Sequence, residues 1–264
     1  MNAIVVLRSL VFAIVFYVVT ALFLILGSWL LFAPRGWAMA GLRAHAVTIT
    51  WLLGLITGTR MEVRGRENLP RGASLVVAKH QSAWDTFALI PLFDDPAIVL
   101  KEELKRIPLY GWFCVKFEHI LVKRDKAAVA LKAMIRDAKE RVAGGRQVLI
   151  FPEGTRRPPG AEPDYKPGYV ALYEELGVPA VPLALNSGLY WPRRNWVRFP
   201  GTIVVELLDP IPPGLPRKEV RAMVESRIEA ACDRLIAEAH TRDPGLPLGP
   251  EARARLTVSN NAGT

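Results

Sequence analysis

The hydrophobic pattern of the chain changes once, near residue 60. Before that point, Ser9 to Pro34 is a run of 26 residues without a formal charge. As one helix this run would be about 39 Å long, enough to cross a hydrocarbon core of about 30 Å with tilt. A cleaved signal peptide is the alternative, but its apolar core usually has only about 7 to 15 residues. We therefore expect a retained membrane anchor over residues 9–34.

A second apolar stretch covers residues 38–58 and is interrupted by Arg43 and His45. It predicts either a second membrane helix or a helix that lies in the membrane interface. Residues 1–60 contain four basic residues and no acidic residue, which is typical of an anchoring segment beside anionic lipid. Three of these arginines follow the long apolar run, and this bias predicts a cytoplasmic position for the rest of the chain.

After residue 60, short β-branched runs alternate with amphipathic stretches. Such alternation predicts an α/β fold with a mixed, largely parallel sheet flanked by helices over residues 61–240. Segment 241–264, with its prolines and glycines, is predicted to be a disordered tail. The predicted strands are 74–79, 97–100, 120–123, 147–151, 180–185 and 202–208, and the predicted helices lie between Asp125 and Gly144, at 167–176 and at 217–239.

Composition and charge narrow the classes of function. Thirty-four Lys and Arg against 25 Asp and Glu give a net charge of +9, which suits nucleic acid, an anionic membrane or a phosphorylated substrate. The aromatic residues are not interleaved with the basic ones, and no RNA-binding or helix-turn-helix signature is found, which argues against nucleic acid. Cys114 and Cys232 lack the spacing of a redox pair, and the four histidines form no metal-binding pattern, so we expect no metal site.

A histidine and an aspartate follow the first predicted strand of the sheet. His80 and Asp85 come directly after residues 74–79, and α/β sheets place reacting groups at strand ends. In a turn between strand and helix, Asp85 can accept a hydrogen bond from one ring nitrogen of His80. The other nitrogen is then free to act as a general base. The alternative is that His80 is a satisfied polar residue and Asp85 is a helix cap.

A second predicted strand, 147–151, runs into the segment PEGTRR at 152–157. Gly154 permits close approach of the backbone, Thr155 offers a hydroxyl group, and Arg156 offers a planar fork suited to phosphate oxygens. These residues predict an anion site. A simple turn with solvated arginines is the alternative. Further cations, which can converge on a phosphate, lie between the two strand ends at Lys101, Lys123 and Arg124.

Four blocks of the sequence, in order, resemble those of the glycerolipid acyltransferases, and most closely the bacterial 1-acyl-sn-glycerol-3-phosphate acyltransferases. The first block, the HxxxxD motif, is matched by His80 and Asp85. The third block, FPEGTR, is matched by residues 151–156, and the fourth by residues 178–182. The chain departs from the family pattern at Glu118, where a glycine is expected. The second block, between the first and the third, is matched by Lys101, Glu103, Leu104, Pro108 and Gly111.

The resemblance implies a glycerol-3-phosphate acyltransferase-like fold, with the motifs within residues 74–189 of the domain. It implies transfer of a fatty acyl group from acyl-CoA or acyl carrier protein to the sn-2 hydroxyl of 1-acyl-sn-glycerol-3-phosphate, which gives phosphatidate. The thioester is a co-substrate, and no cofactor is implied. His80 is then the general base and Asp85 orients it. The acceptor headgroup is held by Glu153, Gly154, Thr155 and Arg156, with Lys101 and Arg124 as assisting phosphate contacts.

Alternatives remain for the acceptor and for catalysis itself. Another lysolipid, such as lyso-ornithine lipid or a different lysophospholipid, can replace lysophosphatidate as acceptor. A membrane lipid-binding module without catalysis is more remote, because the His80 and Asp85 pair is intact. The chain has no GxSxG elbow and no base beside either cysteine, which favours direct attack without an acyl-enzyme. The resemblance also predicts a bacterial inner membrane location, with membrane lipids and the acyl donor as partners.

Overall fold

The computed structural model describes residues 2–123 and 127–261, and a seven-stranded sheet lies at its centre. The strands are β1 (Thr59–Arg64), β2 (Ser74–Ala78), β3 (Ala97–Lys101), β4 (Ile120–Val122), β5 (Gln147–Ile150), β6 (Ala180–Leu185) and β7 (Gly201–Leu207). The α-helices are α1 (Ala3–Leu26), α2 (Arg35–Thr57), α3 (Asp85–Ala88), α4 (Tyr110–Lys116), α5 (Ala127–Ala143), α6 (Gly168–Leu176), α7 (Ser187–Tyr190), α8 (Arg217–Arg242) and α9 (Pro250–Asn261). Short 3-10 segments cover Ser28–Leu31, Arg66–Asn68, Ile90–Leu92 and Glu102–Arg106.

The strands follow the order β1-β7-β6-β2-β5-β3-β4 across the sheet. From β6 to β4 each neighbouring pair is parallel, whereas β7 is antiparallel to β6 and parallel to β1. The predicted mixed, largely parallel sheet is therefore confirmed, and each of the six predicted strands is present. Strand β1 was not predicted, because charged residues occupy every second position in it and most of its side chains are only half-buried.

Strand β2 lies in the middle of the sheet and is buried on both faces. Its alternate residues point to opposite faces. Val76 and Ala78 lie in a hydrophobic cluster with residues of α1 and α2, while Leu75 and Val77 lie in a second cluster with residues of α5, α6 and α8. The chain segment that leaves β2 therefore starts from a fully packed position.

The two N-terminal helices pack against the α/β domain. The predicted anchor at 9–34 is divided, because α1 ends at Leu26 and α2 begins at Arg35. On α1, Ser9 and Phe12 are buried, and the Ser9 hydroxyl accepts a hydrogen bond from the backbone N–H of Arg198 at 2.9 Å. On α2, Ile49 and Leu53 lie in the hydrophobic cluster that contains Val76 and Ala78 of β2. Both helices thus contribute to the core of the domain.

The opposite sides of these helices form an exposed apolar face. Both helices are long and apolar enough to cross a membrane. The α/β domain extends the face, because Trp112 and Val115 on α4 are 56% and 47% exposed. We call this surface the apolar face; its large exposed side chains on the first two helices and their connection include Ile4, Leu7, Ile14, Tyr17, Leu22, Ile25, Trp29, Phe32, Trp37, Trp51 and Leu55.

Segment 241–264 is not a disordered tail where the structure describes it. Helix α8 extends to Arg242, and α9 follows after a short connection. Leu246, Leu248 and Ala252 are at most 8% exposed and belong to the hydrophobic cluster that contains Val76 and Ala78 of β2. The prediction is wrong for residues 241–261, because the prolines and glycines make turns between apolar residues that pack on the core.

Removal of α9 tests this packing. A chain without residues 250–264 loses buried Ala252, half-buried Leu256 and the hydrogen bond from Arg255 Nε to the Gly160 carbonyl oxygen at 3.2 Å. We expect its free energy of unfolding to fall by about 2 kcal/mol or more, the usual scale for a buried aliphatic side chain. Urea unfolding in detergent measures this change, and removal of residues 262–264 is the control. Equal stability of the two shortened chains would contradict a packed α9.

Candidate functional site

The parallel strands bring the predicted functional segments to one edge of the sheet. His80 follows β2, and Phe151 follows its hydrogen-bonded neighbour β5. Lys101 ends the next strand, β3, and is exposed. Open α/β sheets bind ligands outside the carboxyl ends of their strands, so this edge is the candidate site. Arg124 lies outside the described residues.

His80 and Asp85 form the predicted hydrogen bond. His80 Nδ1 lies 3.0 Å from Asp85 Oδ2. Because a carboxylate oxygen accepts, the proton is on Nδ1 and the lone pair of Nε2 is free in the neutral ring. The ring also stacks on Phe151, with 4.2 Å between ring centroids, and its side chain is 12% exposed. The imidazole is therefore held in one orientation with a basic nitrogen available.

A turn between β2 and α3 makes this pairing possible. In a straight helix His80 and Asp85 would lie about 140° apart around the axis. Asp85 is instead the first residue of α3, and its Oδ2 accepts hydrogen bonds from the backbone N–H groups of Gln81 and Ser82, each at 2.8 Å. Trp84, 1% exposed, packs in the core and anchors the turn. The turn thus closes around the carboxylate.

Ser187 on α7 binds the other oxygen of Asp85, and sequence reasoning missed it. Its hydroxyl donates to Asp85 Oδ1 at 2.5 Å, and both side chains are fully buried. The two residues are 102 positions apart in the chain. They meet because β6, which precedes α7, is parallel to β2. Polar residues directly after the apolar run of β6 were the available signal.

Gly188 lets α7 approach the turn after β2. Its backbone N–H donates to Gln81 Oε1 at 3.0 Å. A Cβ atom at this position would lie 2.9 Å from Gln81 Cβ and from two ring carbons of Pro159. Such distances leave no room for a side chain, so α7 is locked between the His80 turn and the loop after β5.

The loop after β5 is tied to the His80 turn. Gly154 has a φ angle of 61°, the left-handed region that favours glycine, which explains its place in the loop. The backbone N–H of Arg157 donates to the His80 carbonyl oxygen at 2.8 Å. Thr155 and Arg156 are half-buried between these fixed points. Three of the predicted headgroup residues therefore lie beside His80.

Glu153, the fourth predicted headgroup residue, is turned into the protein. Its side chain is 0% exposed, and its Oε1 accepts from Lys79 Nζ at 3.0 Å. Lys79 Nζ also donates to Glu229 of α8 at 2.7 Å, and the Tyr165 hydroxyl donates to the same carboxylate. This placement assigns Glu153 to holding the loop against β2 and α8 rather than to contact with a ligand.

One ammonium group faces two carboxylates in this network. Burial lowers the pKa of Lys79, but the carboxylates of Glu153 and Glu229 outweigh that effect, so its pKa is raised overall. Burial raises the pKa of Glu153, and the Lys79 ammonium opposes that rise. Lys79 is therefore protonated at neutral pH, and its charge offsets the fully buried carboxylate of Glu153, while Glu229 is partly exposed to solvent. Sequence reasoning did not single out Lys79, since a lysine at a strand end is usually solvated.

A second arginine, Arg193, lies next to Arg156 of the loop after β5. Arg193 Nη1 donates to the backbone carbonyl oxygen of Arg156 at 2.8 Å. Burial lowers the pKa of Arg156, the neighbouring Arg193 lowers it further, and Asp85 raises it. Within residues 2–123 and 127–261, neither arginine has an ion-pair partner. The site therefore presents uncompensated positive charge close to the His80 and Asp85 pair.

An apolar cavity of about 780 Å³ begins beside the same turn. Ala83 and Thr86, on either side of Asp85 in the chain, line it, together with α1, α2 and α4. At His119 the lining is polar but uncharged, because burial lowers the pKa of this ring to about 3. The size is typical of a ligand pocket. Among the described residues, no group of three or more His, Cys, Asp and Glu side chains is placed to hold a metal ion.

A substitution of Lys79 tests the buried network. In Lys79→Met the carboxylate of Glu153 stays buried without its partner, and we expect the free energy of unfolding to fall by about 3–5 kcal/mol. The double variant Lys79→Met with Glu153→Gln should recover part of that loss. Urea unfolding measures both. Arg221→Met, which breaks the pair of Arg221 and Glu225 on the surface, is the control and should leave the free energy of unfolding nearly unchanged. Similar losses in Lys79→Met and Arg221→Met would contradict the network.

Comparison with known proteins agrees with this geometry. Residues 60–186 match the protein-family model described as Acyltransferase. The 1-acyl-sn-glycerol-3-phosphate acyltransferase of Pseudomonas aeruginosa is 41% identical over 155 residues, which are 59% of this chain and 60% of that protein. The human 1-acyl-sn-glycerol-3-phosphate acyltransferase alpha is 29% identical over 188 residues, which are 70% of this chain and 65% of that protein. The chain thus spans less than two thirds of the length of these curated relatives.

The fold is similar to a solved structure. The crystal structure of the 1-acyl-sn-glycerophosphate (LPA) acyltransferase, PlsC, from Thermotoga maritima aligns with a TM-score of 0.73 and 24% sequence identity, covering 88% of this chain and 97% of that chain. At this identity the likeness shows a common fold. The strand order and the strand-end motifs agree with this fold, and residues 60–186, just under half of the chain, match the model of the acyltransferase family.

Proposed function

We propose that this protein transfers a fatty acyl group from acyl-CoA or acyl carrier protein to the sn-2 hydroxyl of 1-acyl-sn-glycerol-3-phosphate, which gives phosphatidate. The observation that carries the proposal is the hydrogen-bonded pair of His80 and Asp85, with an apolar cavity beginning at the same turn and Arg156, which has no ion-pair partner among the described residues, in the neighbouring loop. The names of the relatives support the same acceptor.

His80 acts as a general base in this reaction. Its Nε2 takes the proton of the acceptor hydroxyl as the oxygen attacks the carbonyl carbon of the thioester. The new C–O bond forms, the C–S bond breaks, and the leaving thiolate takes the proton from the imidazolium. Asp85 stabilises the imidazolium through Nδ1 and is itself held by Gln81, Ser82 and Ser187. No covalent intermediate on the protein is needed.

The two parts of a lipid substrate have complementary surfaces at the site. Arg156 offers a charged fork to the phosphate of the acceptor, and a guanidinium group binds phosphate oxygens strongly. The cavity that begins at Ala83 and Thr86 offers an apolar lining to a fatty acyl chain. A charged group and an apolar surface thus both lie near the His80 and Asp85 pair, where the reacting hydroxyl and carbonyl groups must meet.

The apolar face brings the site to the membrane that holds the acceptor and the product. Helix α1 contacts the α/β domain at two positions. Ser9 accepts a hydrogen bond from the backbone N–H of Arg198, and the ring of Phe16 packs against the rings of Phe87 and Trp191. Because α1 lies along the domain, insertion into one side of the bilayer fits this packing better than a crossing. We place the α/β domain on the cytoplasmic side of a bacterial inner membrane, where the thioester donors are made.

Product formation by His80→Ala tests the proposed base. We expect turnover to fall about 100-fold to 10,000-fold, because a general base usually accelerates a reaction by this factor. Mass spectrometry of mixed micelles that contain lysophosphatidate and an acyl-CoA or acyl carrier protein thioester measures phosphatidate, and other lysolipids serve as competing acceptors. Circular dichroism verifies the fold of the variant. Full activity in a folded His80→Ala protein would exclude this mechanism.

Substitution of Ser187 tests the support of Asp85. Ser187→Ala removes the hydroxyl that donates to Asp85 Oδ1, and a hydrogen bond to a charged group contributes about 1.5–3 kcal/mol. We expect kcat to fall about 10-fold to 100-fold, while KM for the acceptor and the donor stays within about twofold. Ser226→Ala, on the exposed side of α8, is the control. A rise in KM without a fall in kcat would contradict this role.

A further inference from the structure

A short exposed segment after α7 is fixed at both of its ends. At one end Trp191 is buried, and at the other Val197 is buried. The backbone N–H of Arg198 donates to the Ser9 hydroxyl of α1, and its guanidinium lies 4.3 Å from the ring centroid of Trp191. Residues 193–196 are exposed between these fixed points. The segment is therefore positioned by the fold although its tip lies in solvent.

Arg193 is directed from this tip toward the loop after β5. Its Nη1 donates to the carbonyl oxygen of Arg156 at 2.8 Å, and the remaining guanidinium N–H groups have no described partner. The next arginine of that loop behaves differently. Arg157 gives its backbone N–H to the His80 carbonyl oxygen and its Nη2 to the Glu162 carbonyl oxygen, and its Nε is buried, so its guanidinium is turned into the protein. Arg156 and Arg193 are left with donors for a ligand.

The two guanidinium groups repel each other in the unliganded protein. Arg156 is half-buried, and the only carboxylate that acts on it among the interactions described is Asp85, which is engaged with His80 and Ser187. Two like charges held at a partly desolvated site raise the free energy of that site until an anion binds. An anion with two negative charges removes this repulsion more fully than an anion with one.

We propose that Arg193 is a second binding residue for the phosphate of the acceptor, and that together with Arg156 it selects a phosphate monoester. This inference rests on the proposed function. A phosphate monoester carries about 1.5 to 2 negative charges at pH 7 and has three acceptor oxygens, which suits two guanidinium forks. A phosphodiester headgroup carries one negative charge, and the headgroup of monoacylglycerol carries none. The pair therefore favours lysophosphatidate over other lysolipids.

The fold prepares this pair before a ligand arrives. Ser187 and Gly188 fix α7 against Asp85, Gln81 and Pro159, and Arg193 follows only a few residues later. One segment thus supports the carboxylate that orients the base and delivers a cation for the headgroup. The distance between the reacting hydroxyl and the phosphate of one acceptor molecule is fixed by its glycerol backbone, so a common support for both contacts is useful.

Kinetics of Arg193→Ala, with its exposed neighbour Arg194→Ala as the matched control, test the inference. Both variants remove one positive charge from the same surface. In mixed micelles with a constant concentration of thioester, we expect Arg193→Ala to raise KM for lysophosphatidate about 10-fold to 100-fold with little change in kcat. Arg194→Ala should stay within about twofold of the unmodified chain. Arg193→Lys, which keeps the charge without the fork, should give an intermediate KM.

A binding measurement separates this inference from the proposed function. Equilibrium binding of lysophosphatidate and of 1-monoacylglycerol in detergent is compared in His80→Ala and in His80→Ala with Arg193→Ala. We expect the second substitution to weaken binding of lysophosphatidate about 10-fold to 100-fold and to leave monoacylglycerol unchanged. Equal weakening of both lipids, or equal KM values in Arg193→Ala and Arg194→Ala, would overturn the inference. Absence of acyl transfer by the unmodified chain would overturn the proposed function, while the binding comparison still decides the role of Arg193.

Discussion

The buried carboxylate of Asp85 is the constraint on which the site depends. A carboxylate removed from water is costly unless hydrogen-bond donors replace the lost solvent. Here the donors are His80, the backbone of Gln81 and Ser82, and the hydroxyl of Ser187. They come from the turn after β2 and from α7 after β6, so the charge is compensated only when both segments are in place. The same contacts orient the imidazole, which couples the stability of this region to its chemistry.

A second buried charge anchors one part of the loop after β5 in the interior. Lys79 holds Glu153 in the interior, where the glutamate anchors the loop to β2 and α8. Arg156, three residues later, is half-buried and has no ion-pair partner among the residues that the structure describes. An anchored loop holds that guanidinium in one place, so less conformational entropy is lost when an anion binds.

Much of the fold follows from local patterns. Apolar β-branched runs marked the six strands β2 to β7, and periodic apolar positions marked the long helices α5 and α8, because burial of one or both faces of an element imposes these patterns. Strand β1, in which every second residue is charged, lacked that signal. Length and hydropathy identified the N-terminal helices, but they do not tell whether an apolar helix packs on a domain or crosses a bilayer. The composition of the last residues suggested disorder, whereas Leu246 and Leu248 are packed on the core.

The sequence by itself determined that His80, Asp85 and the loop at 151–156 follow strand ends, and that motifs of an acyltransferase family are present. The tertiary structure decided which of these side chains turn into the interior and which lie at the edge of the sheet. It turned Glu153 inward onto Lys79, and it brought Ser187 and Arg193 to the site from a segment that carried no recognised motif. The physical reason is that strand order and direction set which distant residues meet at one edge of the sheet. Those pairings depend on long-range packing, which local periodicity does not record.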